Sequence, residues 1–333
     1  MTTTPQIIDL LIEARWIAAV DPDVVFKNHA VAIHGGRILA ILPAGEARIR
    51  YMPGNHVTLD DHILIPGLIN LHTHAAMTLM RGLADDRPLM DWLQNHIWPA
   101  ESAHMSAQFV LDGTRLACAE MLKGGITCFN DMYFFPEAAA TAASEYGMRA
   151  MLGITAIEFP TPYASDADDY LNKGLAVREQ WLNNPLIGFC IAPHAPYTVS
   201  DPTFERVLTL SAQLNLPVHC HIHETSHEIE ESLRQQKCRP LDRLNALGLL
   251  GPNFIGVHAV HINDHDLELI SETGSHIAHC PTSNLKLGCG ITPIADIQAC
   301  GINFGLGTDS AASNNRLDLF QEMRQAALLA KGI

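Results

Sequence analysis

Basic residues are scarce in this chain. Its 333 residues carry 21 lysines and arginines against 36 acidic side chains, a formal net charge of −15 at pH 7. An acidic surface repels phosphodiester backbones and anionic lipid head groups, which argues against nucleic acid or a membrane as partner and for a small molecule. Long apolar runs are missing as well. Although 47% of the residues are hydrophobic, no uninterrupted stretch reaches the length that spans a bilayer, and the N-terminal MTTTPQIIDLL lacks the basic segment that opens a secretory signal. No Cys-x-x-Cys pair occurs: the eight cysteines are scattered at 118, 128, 190, 220, 238, 280, 289 and 300. That spacing excludes a disulfide framework and reads as small buried hydrophobes in a reducing compartment, so a cytoplasmic protein is expected.

What is present is a set of strand ends that carry metal-ligand side chains. Pro66-Gly67-Leu68-Ile69-Asn70-Leu71-His72-Thr73-His74 is an apolar strand closing on His-x-His. Residues i and i+2 of a strand point the same way, so both imidazoles can aim at one point. Val218-His219-Cys220-His221-Ile222-His223-Glu224, Gly256-Val257-His258 and Gly307-Thr308-Asp309 follow other β-prone stretches in the same manner. A parallel barrel collects such ends on one face, whatever their separation in the chain.

The periodicity from residue 64 onward supports that architecture. Candidate strands at 64–72, 126–131, 149–156, 187–193, 217–223, 254–259, 276–280 and 303–309 alternate with helical patterns such as 104–123, 136–147, 202–215, 263–271 and 314–331. Serial strand–helix repeats predict an α/β fold, a (β/α)8 barrel over 64–333. Residues 1–63 read as strands with a hairpin at Gly35-Gly36, the N-terminal part of a small β-sandwich domain. Long inserts at 75–103 and 157–170 fall on the expected catalytic face.

The segments PGLINLHTHAAMTLMRGLADD, IWPAE, APHAPY, HIHETSHE, HCPTSNLKLGCGI and GTDSAASNN resemble the amidohydrolase superfamily, and within it the 5-methylthioadenosine/S-adenosylhomocysteine deaminase group, close to the triazine hydrolases. The resemblance runs from about Ile7 to the last residue. It implies a metal-dependent hydrolase barrel and a hydrolytic deaminase that turns a 6-aminopurine nucleoside (5′-methylthioadenosine, with adenosine or S-adenosylhomocysteine as alternatives) into the 6-oxo product and ammonia. In the family, helices and further strands follow the last segment seen here, so the resemblance also implies a fragment truncated after the eighth strand and its helix.

Periodicity alone does not choose among His219, His221 and His223, which alternate onto one face. The family's His-x-x-Glu pattern selects His221 with Glu224 and leaves His219 and His223 as hydrogen-bonded structural histidines. The implied metal ligands are then His72, His74, His221 and Asp309, an N3O set suited to one divalent ion, Zn²⁺ ahead of iron or manganese. Binuclear relatives use a carboxylated lysine on strand four; Gly188–His194 holds none, which favours a single ion. Such an ion lowers the pKa of its water toward ~7. By resemblance Asp309 and His258 orient that water, and the unligated Glu224 carries a proton to the ring nitrogen. Glu101 of the Pro-x-Glu pattern would grip the ribose hydroxyls, and His194 would touch substrate. His261 reads as structural, and Ser310, where many relatives have glycine, as a neutral change. Met77, Met80, Trp92 and Trp98 are equally candidates for pocket wall or core.

One departure bears on specificity. Some relatives place an arginine near the end of strand three to meet the homocysteine carboxylate, whereas Met151–Ile157 and the loop Glu158–Tyr163 contain none. Methylthioadenosine or adenosine is therefore expected over S-adenosylhomocysteine. The competing expectations are a guanine, 8-oxoguanine or triazine hydrolase on the same scaffold, or a non-catalytic binding protein. A homo-oligomer is possible by family habit.

Overall fold

Alternation of apolar and polar side chains near the N-terminus builds a four-stranded sheet. Its strands are β1 (Gln6–Ala18), β2 (Val25–His34), β3 (Arg37–Pro43) and β4 (Tyr51–Leu64), in the order β3-β2-β1-β4. Gly35 and Gly36, at φ +58° and +73°, form the tight turn of the β2–β3 hairpin, a conformation with little cost only for residues lacking Cβ. β1 pairs antiparallel with β2 and parallel with β4. A short helix at Ala44–Arg50 precedes β4, and its Ala47 packs with Ile8, Leu11, Ala30, Ala32, Leu42 and Tyr51. Seven residues are too few to display a helical period, and the sequence pattern shows only strands there.

The computed structural model describes residues 4–332. Its two compact units are Met1–Gly67 and Leu68–Ile333. The second unit is a barrel of eight parallel strands: β5 (Leu68–Thr73), β6 (Ile126–Asp131), β7 (Arg149–Ala156), β8 (Ile187–Pro193), β9 (Val218–Ile222), β10 (Phe254–His258), β11 (His276–His279) and β12 (Phe304–Leu306). Each pairs with its sequence neighbour, so the sheet runs from β5 to β12 without a crossing. The (β/α)8 expectation holds, with boundaries shifted by a few residues. The strand expected over 64–72 starts at Leu68, because Leu64 ends β4 and Pro66 has no N–H for a ladder.

Side chains close the seam between β5 and β12. Asn70 Nδ2 donates to Thr308 Oγ1 (2.8 Å), and the Thr308 N–H returns a bond to Asn70 Oδ1 (2.9 Å). The Thr73 hydroxyl donates to the Asp309 carbonyl (3.0 Å) across 236 residues of chain.

Capping sets where the outer helices start. Ser106 opens Ala107–Lys123 by accepting from Phe109 N, and Asp166 opens Ala167–Trp181 by accepting from Asp169 N. The helical pattern at 314–331 divides in two. Ala311–Asn314 stops at Asn315, whose φ is +72°, and Asp318 caps Leu319–Leu329. The insert at 75–103 consists of short helical turns ending in Trp98–His104. All eight cysteines are free, and most are buried. No helix among the described residues is long and apolar enough to cross a membrane.

Candidate active site

The C-terminal ends of β5, β9, β10 and the segment after β12 point four histidines and one aspartate at a common centre. His72 lies on β5 and His74 just past its end; His221 lies on β9, His258 ends β10, and Asp309 follows β12. His72 Nε2 is 3.2 Å from His221 Nε2 and 3.4 Å from Asp309 Oδ1, and His74 Nε2 is 3.3 Å from the same oxygen. A tetrahedral ion with bonds of about 2.0–2.1 Å has ligand–ligand edges of about 3.3–3.4 Å. The three separations match that figure.

The hydrogen bonds behind the rings decide which nitrogens face the centre. The His74 Nδ1–H donates to the Met132 carbonyl and the His221 Nδ1–H to the His194 carbonyl (2.7 Å). A carbonyl oxygen only accepts, so the neutral rings turn their Nε2 lone pairs inward. Asp309 is held equally firmly: Oδ1 accepts from Ser310 N (2.8 Å), and Oδ2 from the hydroxyls of Ser283 (2.6 Å) and Ser313 (3.2 Å). Lone pairs and a carboxylate converge within contact distance, an arrangement that a shared cation resolves. The residues present thus fit a divalent ion.

Electrostatics agree with that donor set. Burial pushes His72 down to about 4 and His221 well below the usual histidine range, so both stay neutral at pH 7. Burial works to raise the Asp309 carboxyl, but its bond with His72 and the nearby imidazoles outweigh this and hold it well below the usual carboxylate range. Two residues of the centre hold strained backbone. His258 and Asp309 sit at φ +75° and +58°, a left-handed conformation that non-glycine residues adopt at a cost.

Glu224 stands beside the ligand set. Its Oε1 is 3.6 Å from His258 Nε2 and accepts from the Cys289 thiol at 3.7 Å. Burial raises its carboxyl above the usual range, so it can carry a proton closer to neutrality. His258 is oriented by its Nδ1–H, which donates to Asn284 Oδ1 (2.8 Å). The loop bearing Glu224 is pinned by Glu228, which accepts from the N–H groups of His223 (3.0 Å) and Glu224 (2.9 Å).

A cleft of about 240 Å³ opens onto this centre, lined by His74, His221, Glu224, His258 and Asp309 at its base and by Glu101 and His194 on its walls. Glu101 projects from the helix Trp98–His104 and accepts from the Tyr133 hydroxyl (2.7 Å); burial raises its carboxyl. His194 holds its Nδ1 3.0 Å from the Thr198 hydroxyl, and burial with neighbouring histidines brings it down to about 3, hence neutral. Met77, Trp92 and Trp98 line the cleft, whereas Met80 is packed in the core. A second cavity of about 750 Å³ adjoins the first through Leu89, Trp98, Phe159, Tyr197 and Glu224.

The chain is similar to known proteins along nearly its whole length. The amidohydrolase family model matches residues 63–333. The chain belongs to the amidohydrolase family. It is 48% identical over 326 residues to the 5-methylthioadenosine/S-adenosylhomocysteine deaminase of Saccharophagus degradans, covering 98% of this chain and 73% of that protein. The corresponding deaminase of Teredinibacter turnerae is 46% identical, with coverage of 99% and 75%. Among solved structures, an adenosine deaminase from Xanthomonas campestris with bound zinc superposes with a TM-score of 0.96 at 48% identity, covering 99% of this chain and 75% of that one. An atrazine chlorohydrolase from Arthrobacter aurescens shares the fold at a TM-score of 0.88 and 22% identity, covering 96% and 76%.

In this amidohydrolase the three alternating histidines of β9 have different fates. The strand ends at Ile222, and His223, at φ +51°, turns out of the alternation. Its Nε2 accepts from Leu241 N (3.1 Å), and its Nδ1 lies 3.4 Å from the Arg239 guanidinium, so it ties a neighbouring helix down. His219 stays on the inner face and meets His72 (3.1 Å). His261 donates from Nε2 to the Cys289 carbonyl (2.8 Å). Sequence reasoning named neither Ser283, Asn284 and Ser313 as supports of Asp309 and His258 nor Tyr133 as the partner of Glu101. The first three lie within quoted motifs, so the available signal was the motif itself. Tyr133 lies outside every motif.

Proposed function

We propose that this amidohydrolase is a metal-dependent hydrolytic deaminase of 6-aminopurine nucleosides, holding one Zn²⁺ on His72, His74, His221 and Asp309 and preferring 5′-methylthioadenosine or adenosine over S-adenosylhomocysteine. The observation that carries the reading is the close approach of His72 to His221, His72 to Asp309 and His74 to Asp309, at 3.2–3.4 Å, beside the carboxyl of Glu224. The relatives at 46–48% identity, two methylthioadenosine/S-adenosylhomocysteine deaminases and a zinc-bound adenosine deaminase, support the deaminase part of the reading.

When bound, the ion makes hydroxide available from water at neutral pH. The chain's residues do the rest. Asp309, ionised and locked by Ser283, Ser310 and Ser313, orients the nucleophile together with His258. Attack on the amine-bearing ring carbon builds negative charge on the adjacent ring nitrogen, and the Glu224 carboxyl gives that nitrogen its proton. The proton released by the nucleophile passes to the departing amine, and ammonia leaves behind a carbonyl. Glu101 accepts hydrogen bonds from the ribose cis-diol, and neutral His194 contacts the substrate beside it.

The lining of the adjoining cavity supports the substrate preference. It carries Glu158, Asp201, Glu228 and Glu231. Its guanidinium, Arg243, already donates to Asp201 Oδ1 (2.7 Å) and to the carbonyls of Pro196 (2.6 Å) and Val199 (2.9 Å). A homocysteine carboxylate placed there meets acids and a spent cation. The test is an ammonia-release assay on zinc-reconstituted protein with methylthioadenosine, adenosine, S-adenosylhomocysteine, guanine and a chlorotriazine. The expected order of kcat/KM puts methylthioadenosine or adenosine first. An equal or higher value for S-adenosylhomocysteine refutes the preference, and activity confined to guanine or the triazine refutes the nucleoside reading.

A further inference from the structure

Each histidine at the centre is anchored through Nδ1, and three of the anchors are oxygen acceptors. His74 uses the Met132 carbonyl, His221 the His194 carbonyl and His258 the Asn284 amide oxygen. His72 is different: its Nδ1 lies 3.1 Å from Nε2 of another imidazole, that of His219. An oxygen acceptor permits one tautomer of its partner; an imidazole permits two. If His219 carries its proton on Nε2, it donates to His72 Nδ1, and the neutral His72 ring then bears its proton on Nε2, facing His221. That Nε2 has no lone pair for an ion. If His219 carries its proton on Nδ1, its Nε2 accepts from His72 Nδ1–H, and His72 turns a lone pair to the centre.

We propose that His219 is a positioning residue for the metal: by presenting a bare Nε2 to His72, it holds His72 in the tautomer that can ligate. A second observation sets the cost of the His219 tautomer this needs, whose proton meets no acceptor. His219 is fully buried, and its Nδ1 has no hydrogen-bond partner. Buried polar atoms are rarely left unpaired, and an exception calls for a reason. Nδ1 is where the His219 proton sits when His72 binds the ion. Moving between the two tautomer pairs shifts one proton from His72 Nε2 to His219 Nδ1, with no change in net charge. The position follows from β9: His219 precedes His221 by two residues, so a strand aims both rings inward, one at the ion and one at the back of the opposite ligand.

The inference rests on the metal reading given above, and the experiment separates the two. Zinc affinity is measured by chelator competition on three proteins: wild type, His219→Leu, which deletes the acceptor, and His219→Gln, whose amide oxygen can replace it. Loss of such an outer hydrogen bond weakens metal binding about 10–100-fold. His219→Leu is expected to bind zinc that much more weakly and His219→Gln within about threefold of wild type, a rescue that a packing role alone does not produce. Unchanged affinity in His219→Leu overturns the inference, as does equal weakening in both variants. A wild type that binds no divalent ion overturns the metal reading and this inference together. Should His219→Leu fail to fold, ¹⁵N-histidine NMR of the zinc-loaded wild type decides. His219 protonated at Nδ1 and bare at Nε2 is the expected signature; the reverse tautomer overturns the inference.

Discussion

The backbone N–H of Asp309 donates to the carbonyl oxygen of His72 across 3.0 Å. The bond joins the first strand of the barrel to the segment after the last, and it sets the separation of two metal-ligand candidates. Gly307 makes the approach possible: a Cβ there would lie 2.8 Å from His72 Cβ and 2.9 Å from its backbone N and O.

Gly307→Ala is therefore expected to force the seam apart. Overpacking of this kind costs about 1–3 kcal/mol, and because His72 moves with its backbone, zinc stoichiometry should fall as well. Thermal unfolding and metal analysis read the two effects. A variant with normal melting and full zinc content would show that the seam has slack.

Glu224→Gln keeps the shape of the side chain and removes the transferable proton. Since Glu224 lies outside the ligand set, zinc content should stay at the wild-type level while kcat drops about 10²–10⁴-fold. A parallel loss of metal would place Glu224 among the ligands.

Glu101→Gln distinguishes ribosyl substrates from bare rings. The variant should lose kcat/KM steeply on methylthioadenosine and change little on any ring substrate without a ribose. Equal losses on both would assign Glu101, bonded to Tyr133, to the framework of the cleft.

His279, at the end of β11, is buried, and burial followed by the neighbouring His258 brings it down to about 4. The unfolded chain then binds more protons than the fold between about pH 6.5 and 4, so this group's contribution is present above 6.5 and lost as pH falls through 4. For metal-free protein, the His279 share of the stability difference between pH 7 and pH 5 is roughly 2 kcal/mol. His279→Leu should narrow that difference accordingly in urea unfolding. An unchanged pH dependence would mean the ring is already charged in the fold.

The barrel was legible because short apolar segments alternate with helical patterns and four of the strand ends carry metal-ligand side chains, and eight such units in series leave few alternatives. His72 and His74 could be read from strand alternation alone. His221 could not, since His219 and His223 share its spacing; the fate of His223 depends on a single left-handed φ that no pattern announces. The supports of the site were harder still. Ser283, Asn284 and Ser313 act through hydrogen bonds to residues distant in the chain, and a serine that orients an aspartate looks like any other serine in a loop. The helix at Ala44–Arg50 escaped notice for a plainer reason: it is too short to show a period.

The stitching of β5 to the segment after β12 also has a temporal side. During synthesis the histidines of β5 emerge early, but the Asp309 carboxylate that meets them comes 235 residues after His74, and the amide that tethers it arrives with it. If Asp309 joins the β5 histidines around one ion, as proposed, capture by the full donor set must await release of residue 309 from the ribosome, and the ion would then fasten the first strand to the segment after the last.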